Sequence, residues 1–412
     1  MNKNNKFIIY IILLYCIGCN SGKIKIGESY TLGEVPASIS EVKAQQDPFL
    51  NGLQVEMKDL PGHDDLIFDP KNKNAYASGM DGWIWKLDFQ SEKAQQWVKP
   101  PVNPAGMRFA DKNKERILVC SSRLGGESYT EKNRVGLYEV HVNSKNVTPI
   151  LLDLPKIQKE EFEKVYTDSE RPTYKIDELN TSNSRPFSLC NDLAISDDGN
   201  RIYITEPFER EDAAMGSGAV PEAIGLYPHG KLWMYDREKR TISLILSGFT
   251  FVDGILIDTS GKNDEESVVF TETTKFRIIK AYISGSKQGT SEVLLENLPG
   301  LADGLERDEQ GRIWVGIIKK RSGLVNFVHR NPWLKTFILS IPQKILPISH
   351  NTGLLVLDQK GEKPLYYYMH DGSKIRDISV SVPFAGRAYF PSFDKNSRGL
   401  YSLSISSLGM KE

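Results

Sequence analysis

The chain has 412 residues, of which 40% are hydrophobic and 25% are charged, so it is long enough to bury a sizeable core and does not have the composition of a disordered protein. Lys and Arg number 52 against 53 Asp and Glu, which gives a formal net charge of −1. This balance provides no basic field for nucleic acid and no acidic tail, so nucleic acid is excluded as a partner and any partner must be recognised by local sites.

The N terminus has the features of a targeting segment. Two lysines precede an apolar run over residues 7–17, which is too short to span a bilayer comfortably. The motif Cys16-Ile17-Gly18-Cys19 resembles a bacterial lipoprotein box. That resemblance predicts a signal peptide over 1–18, a lipid on Cys19 and export to the bacterial cell envelope with a membrane anchor. A plain signal peptide of a secreted or periplasmic protein, or an uncleaved type II anchor, remains the alternative.

The rest of the chain divides into a predicted tether over 19–50 and an all-β body over 51–412. The tether is polar with little periodicity, whereas the body consists of short β-type runs separated by turn signals. The body also repeats a unit of strand, turn, strand, turn and strand. Such units begin near Asp65, Ala105, Asp192, Asp253, Asp303 and Asp377. Six four-stranded units predict a six-bladed β-propeller around a central tunnel.

Four of the repeats place an Asp or Asn just before an apolar residue that opens a strand-like segment. These residues are Asp64, Asn191, Asp253 and Asp303. Because a propeller turns every inner strand toward one channel, we expect the four side chains to converge although they are far apart in sequence. A ring of carboxylate and amide oxygens is the ligand set of a hard cation. The pattern therefore predicts a metal site in the tunnel.

Several of these stretches carry a resemblance to a known family. They are Asn191-Asp-Leu, Phe251-Val-Asp-Gly, Leu298-Pro-Gly-Leu-Ala-Asp-Gly and Ile313-Trp-Val-Gly. They resemble the strictosidine synthase-like family, which includes the adipocyte plasma membrane-associated proteins, within the wider superfamily of gluconolactonases (senescence marker protein) and paraoxonases. The likeness covers roughly residues 60–405. It implies a six-bladed propeller with Ca²⁺ in the tunnel, held by Asp64, Asn191, Asp253 and Asp303.

The resemblance also implies a possible second ion. Asp65 and Asp192 match two carboxylates that hold a structural calcium in paraoxonases, with the backbone carbonyl near Met107 as a further ligand. The alternative is that Asp192 caps a turn through its own side chain.

Two departures from the enzymes of this superfamily bear on catalysis. Ala105 stands where paraoxonase-type lactonases have a His, and the stretch 379–387 lacks the Glu that strictosidine synthase uses, so alkaloid synthesis is not expected. The remaining catalytic candidates are Asp253 or Asp303, which could activate water, and His63, whose neutral imidazole could accept a proton. Strand alternation argues against His63, because it should point away from the side to which its neighbour Asp64 points.

The favoured function is metal-assisted hydrolysis of a lactone or ester by a monomer. The competing hypothesis is a non-catalytic propeller in which calcium holds the blades together and the top face binds a small ligand or a protein. Three insertions, over 155–186, 207–229 and 332–342, are predicted to shape access to the tunnel. In the body, Cys120 and Cys190 form either one disulfide or two free thiols.

Overall fold

The computed structural model describes residues 29–158, 160–258, 266–342, 345–346 and 348–410. The predicted signal peptide and the lipid on Cys19 lie outside these residues and stay predictions. Within the described part, none of the helices combines the length and the apolar character that crossing a bilayer requires. Six antiparallel sheets of four strands or more follow one another along the chain and form a six-bladed propeller, as predicted.

The chain enters the propeller through β1 (Gln54–Pro61) and then forms two regular blades, each running from the channel outward. Blade one contains β2 (His63–Asp69), β3 (Asn74–Gly79), β4 (Ile84–Asp88) and β5 (Lys93–Val98). Blade two contains β6 (Asn103–Phe109), β7 (Arg116–Ser122), β8 (Gly136–His141) and β9 (Val147–Leu151).

Blade three is the largest sheet because part of a preceding insertion is added to its outer strand. The insertion contains β10 (Asp153–Pro155), β11 (Lys164–Val165), β12 (Thr173–Lys175) and β13 (Ser184–Pro186). Blade three itself contains β14 (Leu193–Ile195), β15 (Arg201–Glu206), β16 (Gly230–Asp236) and β17 (Thr241–Phe249). Both β11 and β12 pair with β17, whereas β10 and β13 pair with each other.

Blades four and five repeat the simple four-stranded pattern. Blade four contains β18 (Val252–Asp258), β19 (Ser267–Glu272), β20 (Arg277–Tyr282) and β21 (Ser291–Leu295). Blade five contains β22 (Gly300–Arg307), β23 (Ile313–Lys320), β24 (Thr352–Leu357) and β25 (Pro364–His370). Tight turns precede the second strands of blades three and five, where Gly199 and Gly311 have φ angles of 74° and 81° that exclude most other residues.

Blade six closes the ring with strands from both ends of the described chain. It contains β26 (Val382–Phe384), β27 (Arg387–Tyr389) and β28 (Arg398–Ser404), and β1 forms its outermost strand. β1 and β28 are antiparallel, with Gln54 opposite Ser402. Because this strand pairing joins the first and last parts of the propeller, the blades are held in a ring by backbone hydrogen bonds.

In the part of the chain that the structure describes, five short helices lie outside the sheets. They are α1 (Ala37–Glu41), α2 (Pro48–Gly52), α3 (Val220–Gly225), α4 (Gly323–Arg330) and α5 (Lys335–Ser340). One-turn 3₁₀ segments occur at Ile176–Glu178, Gly216–Ala219, Thr273–Lys275, Pro332–Leu334 and Ser406–Leu408.

The first two helices correct the prediction of a tether over 19–50. Ile39 of α1 and Phe49 of α2 are fully buried, Ile39 in a core with residues of blade five and Phe49 in a core with residues of blade six. The described part of that stretch is therefore packed against the propeller. The apolar residues that make these contacts stand singly among polar residues, so the sequence of this stretch has no clear hydrophobic periodicity.

A disulfide joins Cys120 of β7 to Cys190, which lies just before β14. The cross-link spans 70 residues and connects blade two to blade three. Of the two alternatives that the sequence left open for these cysteines, the structure shows the disulfide.

Candidate metal centre

The innermost strands of blades one, two, four and five share one irregularity, a β-bulge near the start of the strand. The strand register shifts between His63 and Leu66, Pro104 and Met107, Val252 and Ile255, and Ala302 and Leu305. A bulge sets two residues against one on the partner strand, which re-aims side chains at that point. In blades one, four and five the first bulged residue is Asp64, Asp253 or Asp303, and each of these carboxylates lines the tunnel.

Hydroxyl groups on the second strands hold the bulges of blades one and five and the corresponding residues of blade three in place. The backbone N–H of Asp65 donates to Ser78 Oγ at 2.7 Å, and that of Asp192 donates to Thr205 Oγ1 at 3.0 Å. In blade four, Thr271 Oγ1 donates to the carbonyl of Asp303 in the neighbouring blade at 2.9 Å. The bulged backbone is thus held by side chains as well as by the sheet.

The four predicted residues come together on the tunnel axis. Asp64, Asn191, Asp253 and Asp303 all line a small cavity of about 20 Å³ and also line the base of a chamber of about 540 Å³ above it. Asn191 Nδ2 donates to Asp253 Oδ1, and the carboxyl groups of Asp253 and Asp303 hydrogen-bond to each other. We call these four residues the upper cluster.

The upper cluster is electrostatically unfavourable when all its carboxylates are ionised. Burial raises the pKa of Asp64 well above its usual range, and the neighbouring Asp253 raises it further. Burial likewise raises the pKa of Asp303, with the Asp253 charge as the next cause, and burial raises the pKa of Asp253. These carboxylates are therefore stabilised by a proton that Asp253 and Asp303 share, or by a cation.

The donor set fits a calcium ion by its chemistry. Three carboxylates and one amide provide the hard oxygen ligands that calcium prefers, and their mutual repulsion favours a divalent cation. The side chains nevertheless contact one another, and among the described residues no three His, Cys, Asp or Glu side chains already stand in a metal-binding arrangement. Calcium would be held by Asp64, Asn191, Asp253 and Asp303 after these contacts open.

A second group of charges lies directly beneath the upper cluster. Asp65 Oδ2 accepts the backbone N–H of Met107 at 2.7 Å and Arg108 Nη1 at 2.9 Å. Arg108 Nη2 lies 2.8 Å from Glu306 Oε1 and 3.6 Å from Asp192 Oδ1. Asp65, Arg108, Asp192 and Glu306 form what we call the lower cluster, to which blades one, two, three and five each contribute one residue.

The prediction of a second ion at Asp65 and Asp192 does not fit this arrangement. The guanidinium of Arg108 lies between the two carboxylates, and its Nη1 also donates to the Met107 carbonyl at 2.7 Å, the backbone ligand that the resemblance implied. The Asp192 carboxylate in addition accepts the backbone N–H groups of Leu193 at 2.8 Å and of Ile255 at 3.1 Å, so both of its oxygens already have partners. Burial raises the pKa of Asp192 to about 7, and Arg108 opposes that rise.

His63 does not belong to either cluster. Its side chain is fully buried, its Nδ1 lies 2.9 Å from the Pro61 carbonyl oxygen, and it lines neither cavity. Burial lowers its pKa to about 4. The structure therefore does not bring His63 to the tunnel, as the alternation of side chains along a strand led us to expect.

The chamber above the upper cluster has predominantly apolar walls. Phe251 and Leu301 line it near the base, and Val328 of α4 and Ile338 of α5 line its roof. Lys335 Nζ of α5 donates to the Gly225 carbonyl of α3 at 3.0 Å, so the insertions of blades three and five are joined in the roof.

Only two of the three predicted access insertions reach the chamber. Residues from 207–229 and 332–342 line it, whereas none of the described residues of 155–186 does. The 155–186 insertion instead lies at the outer edge of blade three, where its strands β11 and β12 pair with β17. The prediction that this insertion shapes access to the tunnel does not fit this position, because its length and charge did not indicate on which side of the blade it runs.

Arg108 and Glu306 are the site residues that sequence reasoning missed. Arg108 interrupts the apolar β6 stretch between Met107 and Phe109, and Glu306 is a charged residue within β22. A charge inside an inner strand of a propeller is a signal of a tunnel contact, because inner strands have little access to bulk water.

The chain matches the model of a known protein family. The family model of the SMP-30/gluconolactonase/LRE-like region matches residues 66–334. Among curated proteins, the chain is 23% identical to protein strictosidine synthase-like 10 of Arabidopsis thaliana over 382 residues, which cover 84% of this chain and 90% of that protein. It is 30% identical to adipocyte plasma membrane-associated protein of Danio rerio over 270 residues, which cover 65% of this chain but only 57% of the relative.

Among solved structures, the chain is similar to regucalcin of Agrobacterium tumefaciens, which is described as a calcium-binding protein. The TM-score is 0.51 at 13% identity, with 85% of this chain and 92% of that chain covered. At this identity the likeness supports the fold alone, and the six blades described above agree with it.

Proposed function

Because the chain belongs to the SMP-30/gluconolactonase/LRE-like family, we propose that it is a divalent-cation-dependent hydrolase of an apolar lactone or ester. The observation that supports this function is the junction of an oxygen-rich upper cluster with a large apolar chamber. A volume of about 540 Å³ lies within the range of pockets for small-molecule substrates.

The walls of the chamber favour an apolar substrate over a sugar lactone. Phe251, Leu301, Val328 and Ile338 offer few hydrogen-bond partners to the hydroxyl groups of a sugar. Burying such hydroxyls without partners is costly, whereas an alkyl or aryl group gains about 25 cal/mol for each Å² removed from water. The chamber therefore orients the scissile carbonyl by holding the apolar part of the molecule.

The upper cluster supplies the polar part of the reaction. Calcium, when bound there, supplies a Lewis acid that polarises a carbonyl group. Burial raises the pKa of Asp253 and of Asp303, and both carboxyl groups line the base of the chamber, so either one is placed to accept a proton from the attacking water. Water adds to the carbonyl carbon, the acyl C–O bond breaks, and the departing oxygen takes up a proton to give a hydroxy acid or an alcohol and an acid.

Hydrolysis is tested with matched lactones of increasing alkyl tail, aryl esters and gluconolactone as the polar control. We expect the apolar lactones or esters to be hydrolysed faster than gluconolactone and chelation to abolish activity. Asp303→Asn should lower kcat/KM on the order of 100-fold, which corresponds to the loss of one strong transition-state interaction. Asp153→Asn is the control, since Asp153 pairs with Arg134 at the surface.

A non-catalytic propeller is the second candidate, because blade two presents Ala105 and no polar side chain at the bulge. In that case calcium only stabilises the packing of the blades, and the chamber binds a ligand without changing it chemically. The outcome that favours this candidate is the absence of hydrolysis across the panel together with a melting temperature that falls on chelation.

We also propose that the protein acts outside the cytoplasm, anchored through a lipid on Cys19. The disulfide between Cys120 and Cys190 supports this, because such bonds persist in oxidising compartments. Incorporation of labelled palmitate that is lost in Cys19→Ala but retained in Cys16→Ala would agree with the proposal, whereas equal labelling of both variants would contradict it.

A further inference from the structure

The cation of the lower cluster belongs to the protein itself. Arg108 contacts Asp65 of blade one, Asp192 of blade three and Glu306 of blade five, at distances between 2.8 and 3.6 Å. From this geometry we propose that Arg108 takes the place of a second divalent ion beneath the tunnel floor, so that the tunnel binds at most one such ion. The inference concerns the number of bound ions and does not depend on whether the protein is a hydrolase. Only the single ion expected at the upper cluster rests on the proposed function.

The contacts of the guanidinium cover the ligands that a lower ion would need. Nη1 donates to Asp65 Oδ2 and to the Met107 carbonyl, and Nη2 faces the Glu306 and Asp192 carboxylates. An arginine stays charged at any physiological pH and presents donors in a planar fork, so it suits a fixed ring of oxygens. Burial lowers the pKa of Arg108, but the charges of Glu306, Asp192 and Asp65 outweigh burial and raise it.

The space around Arg108 leaves no room for an additional hydrated ion. The cavity that separates the upper cluster from Arg108 has a volume of about 20 Å³, which is enough for about one water molecule. Calcium needs six to eight oxygen ligands, and those nearest to this cavity are already engaged by the guanidinium. A cation placed there would also be repelled by Arg108.

Arg108 also fixes the strands that carry the upper cluster. Asp65 follows Asp64 directly, and Asp192 follows Asn191 directly, so two contacts of the guanidinium hold residues next to upper-cluster ligands. Asp65 and Asp192 additionally accept backbone N–H groups of Met107 and Ile255 in the next blades. Arg108 is therefore the counter-ion of the lower cluster and also a positioning residue for the upper cluster.

The experiment counts calcium ions in the full chain, using elemental analysis and titration calorimetry after equilibration with calcium alone. We expect at most one equivalent in the wild type and one more equivalent in Arg108→Ala, because removing the guanidinium frees three carboxylates and the Met107 carbonyl. Without calcium, Arg108→Ala should melt about 3–8 °C lower than the wild type, and saturating calcium should raise its melting temperature more than that of the wild type.

Two further variants keep the test decisive. Arg116→Ala removes an arginine of the same blade that pairs with Asp111 and Glu139, and it should leave the number of ions unchanged. Arg108→Lys retains a positive charge and should also bind no additional ion, which matters if Arg108→Ala does not fold. In Arg108→Ala, millimolar methylguanidinium should restore part of the lost stability and compete with the extra calcium.

Two ions in the wild type, or no additional ion in a folded Arg108→Ala, would overturn the inference. An additional ion in Arg108→Lys would also contradict it, because the charge would then not be what excludes calcium. No ion in the wild type but one in Arg108→Ala would support the inference while contradicting the proposed role of the upper cluster. The two proposals can thus fail separately.

Discussion

The upper and lower clusters are neighbours in sequence and in space, yet they balance their negative charge in different ways. Asp64 and Asn191 belong to the upper cluster, while the next residues, Asp65 and Asp192, belong to the lower one. The lower cluster contains the guanidinium of Arg108, whereas in the upper cluster Asp253 hydrogen-bonds to the carboxyl group of Asp303 and to the Asn191 amide. The difference indicates that the upper position is the one left for an external cation.

In blade one, the β-bulge explains how one step along the chain, from Asp64 to Asp65, separates two environments. The two consecutive residues of a bulge do not follow the strict alternation of a regular strand, so both can contribute to the tunnel at different depths. In blade two the second bulged residue is Gly106, where a Cβ would come within 2.5 Å of Asp192 Oδ1. Blade two can therefore approach closely and insert Arg108 from two residues further along the strand.

The largest expected effect comes from removing the disulfide that lies beside both clusters. Cys190 precedes Asn191, and Cys120 Sγ lies 3.9 Å from the Asp192 carbonyl oxygen. Replacing both cysteines by serine should lower the free energy of unfolding by about 2–4 kcal/mol and weaken calcium binding, because blades two and three are no longer cross-linked. Denaturant unfolding and calorimetry measure the two effects, and a loss below about 0.5 kcal/mol would contradict the expected role.

The next largest effect is expected from a matched pair of Asp→Asn variants, which tests whether the two clusters respond differently to the loss of a carboxylate. Asp64→Asn should weaken calcium binding at least about tenfold, while the metal-free protein becomes more stable because one repelling charge is gone. Asp65→Asn should instead destabilise the metal-free protein, since Arg108 and the Met107 N–H lose a charged acceptor. If both variants behave alike, the division into two clusters is not supported.

A smaller effect is expected from Glu306→Gln, which weakens only the lower cluster. Glu306 pairs with Arg108 at 2.8 Å and is partly buried, so neutralising it should cost about 1–2 kcal/mol of stability without changing the number of bound calcium ions. Glu309→Gln on the exposed turn of the same blade is the control and should have little effect. A changed ion count in Glu306→Gln would mean that Arg108 alone does not exclude the second ion.

The smallest expected effect is a pH dependence of the metal-free protein. Folding raises the pKa of Asp64, Asp253 and Asp303 above their usual range and that of Asp192 to about 7. A carboxyl group with a raised pKa contributes most stability below its unfolded pKa, and this contribution is lost as pH rises through the folded value. The chelated protein should therefore melt a few degrees lower at about pH 8 than at about pH 5.

Calcium should reduce this pH dependence, because it stabilises the ionised form of the upper cluster. Melting curves at several pH values, with chelator and with excess calcium, measure the difference. A chelated protein whose stability rises over the same pH interval would contradict the assignment of raised pKa values.

The sequence predicted the fold and the residues of the upper cluster because both depend on a repeated local pattern. The turn glycines Gly199 and Gly311, and the Asp or Asn residues near the start of four inner strands, recur at equivalent points, and a propeller brings equivalent points together. The same reasoning could not find Arg108, since its partners come from three other blades and nothing near it in sequence identifies them.

By itself, then, the sequence determined the six-bladed architecture and the convergence of Asp64, Asn191, Asp253 and Asp303, because strand periodicity and turn chemistry are local properties. Only the tertiary structure decided that β1 closes blade six and that the lower cluster has its own cation. It also decided that the roof joins α3 to α5. These features depend on contacts between distant segments, whose distances and relative orientations are set when the blades pack.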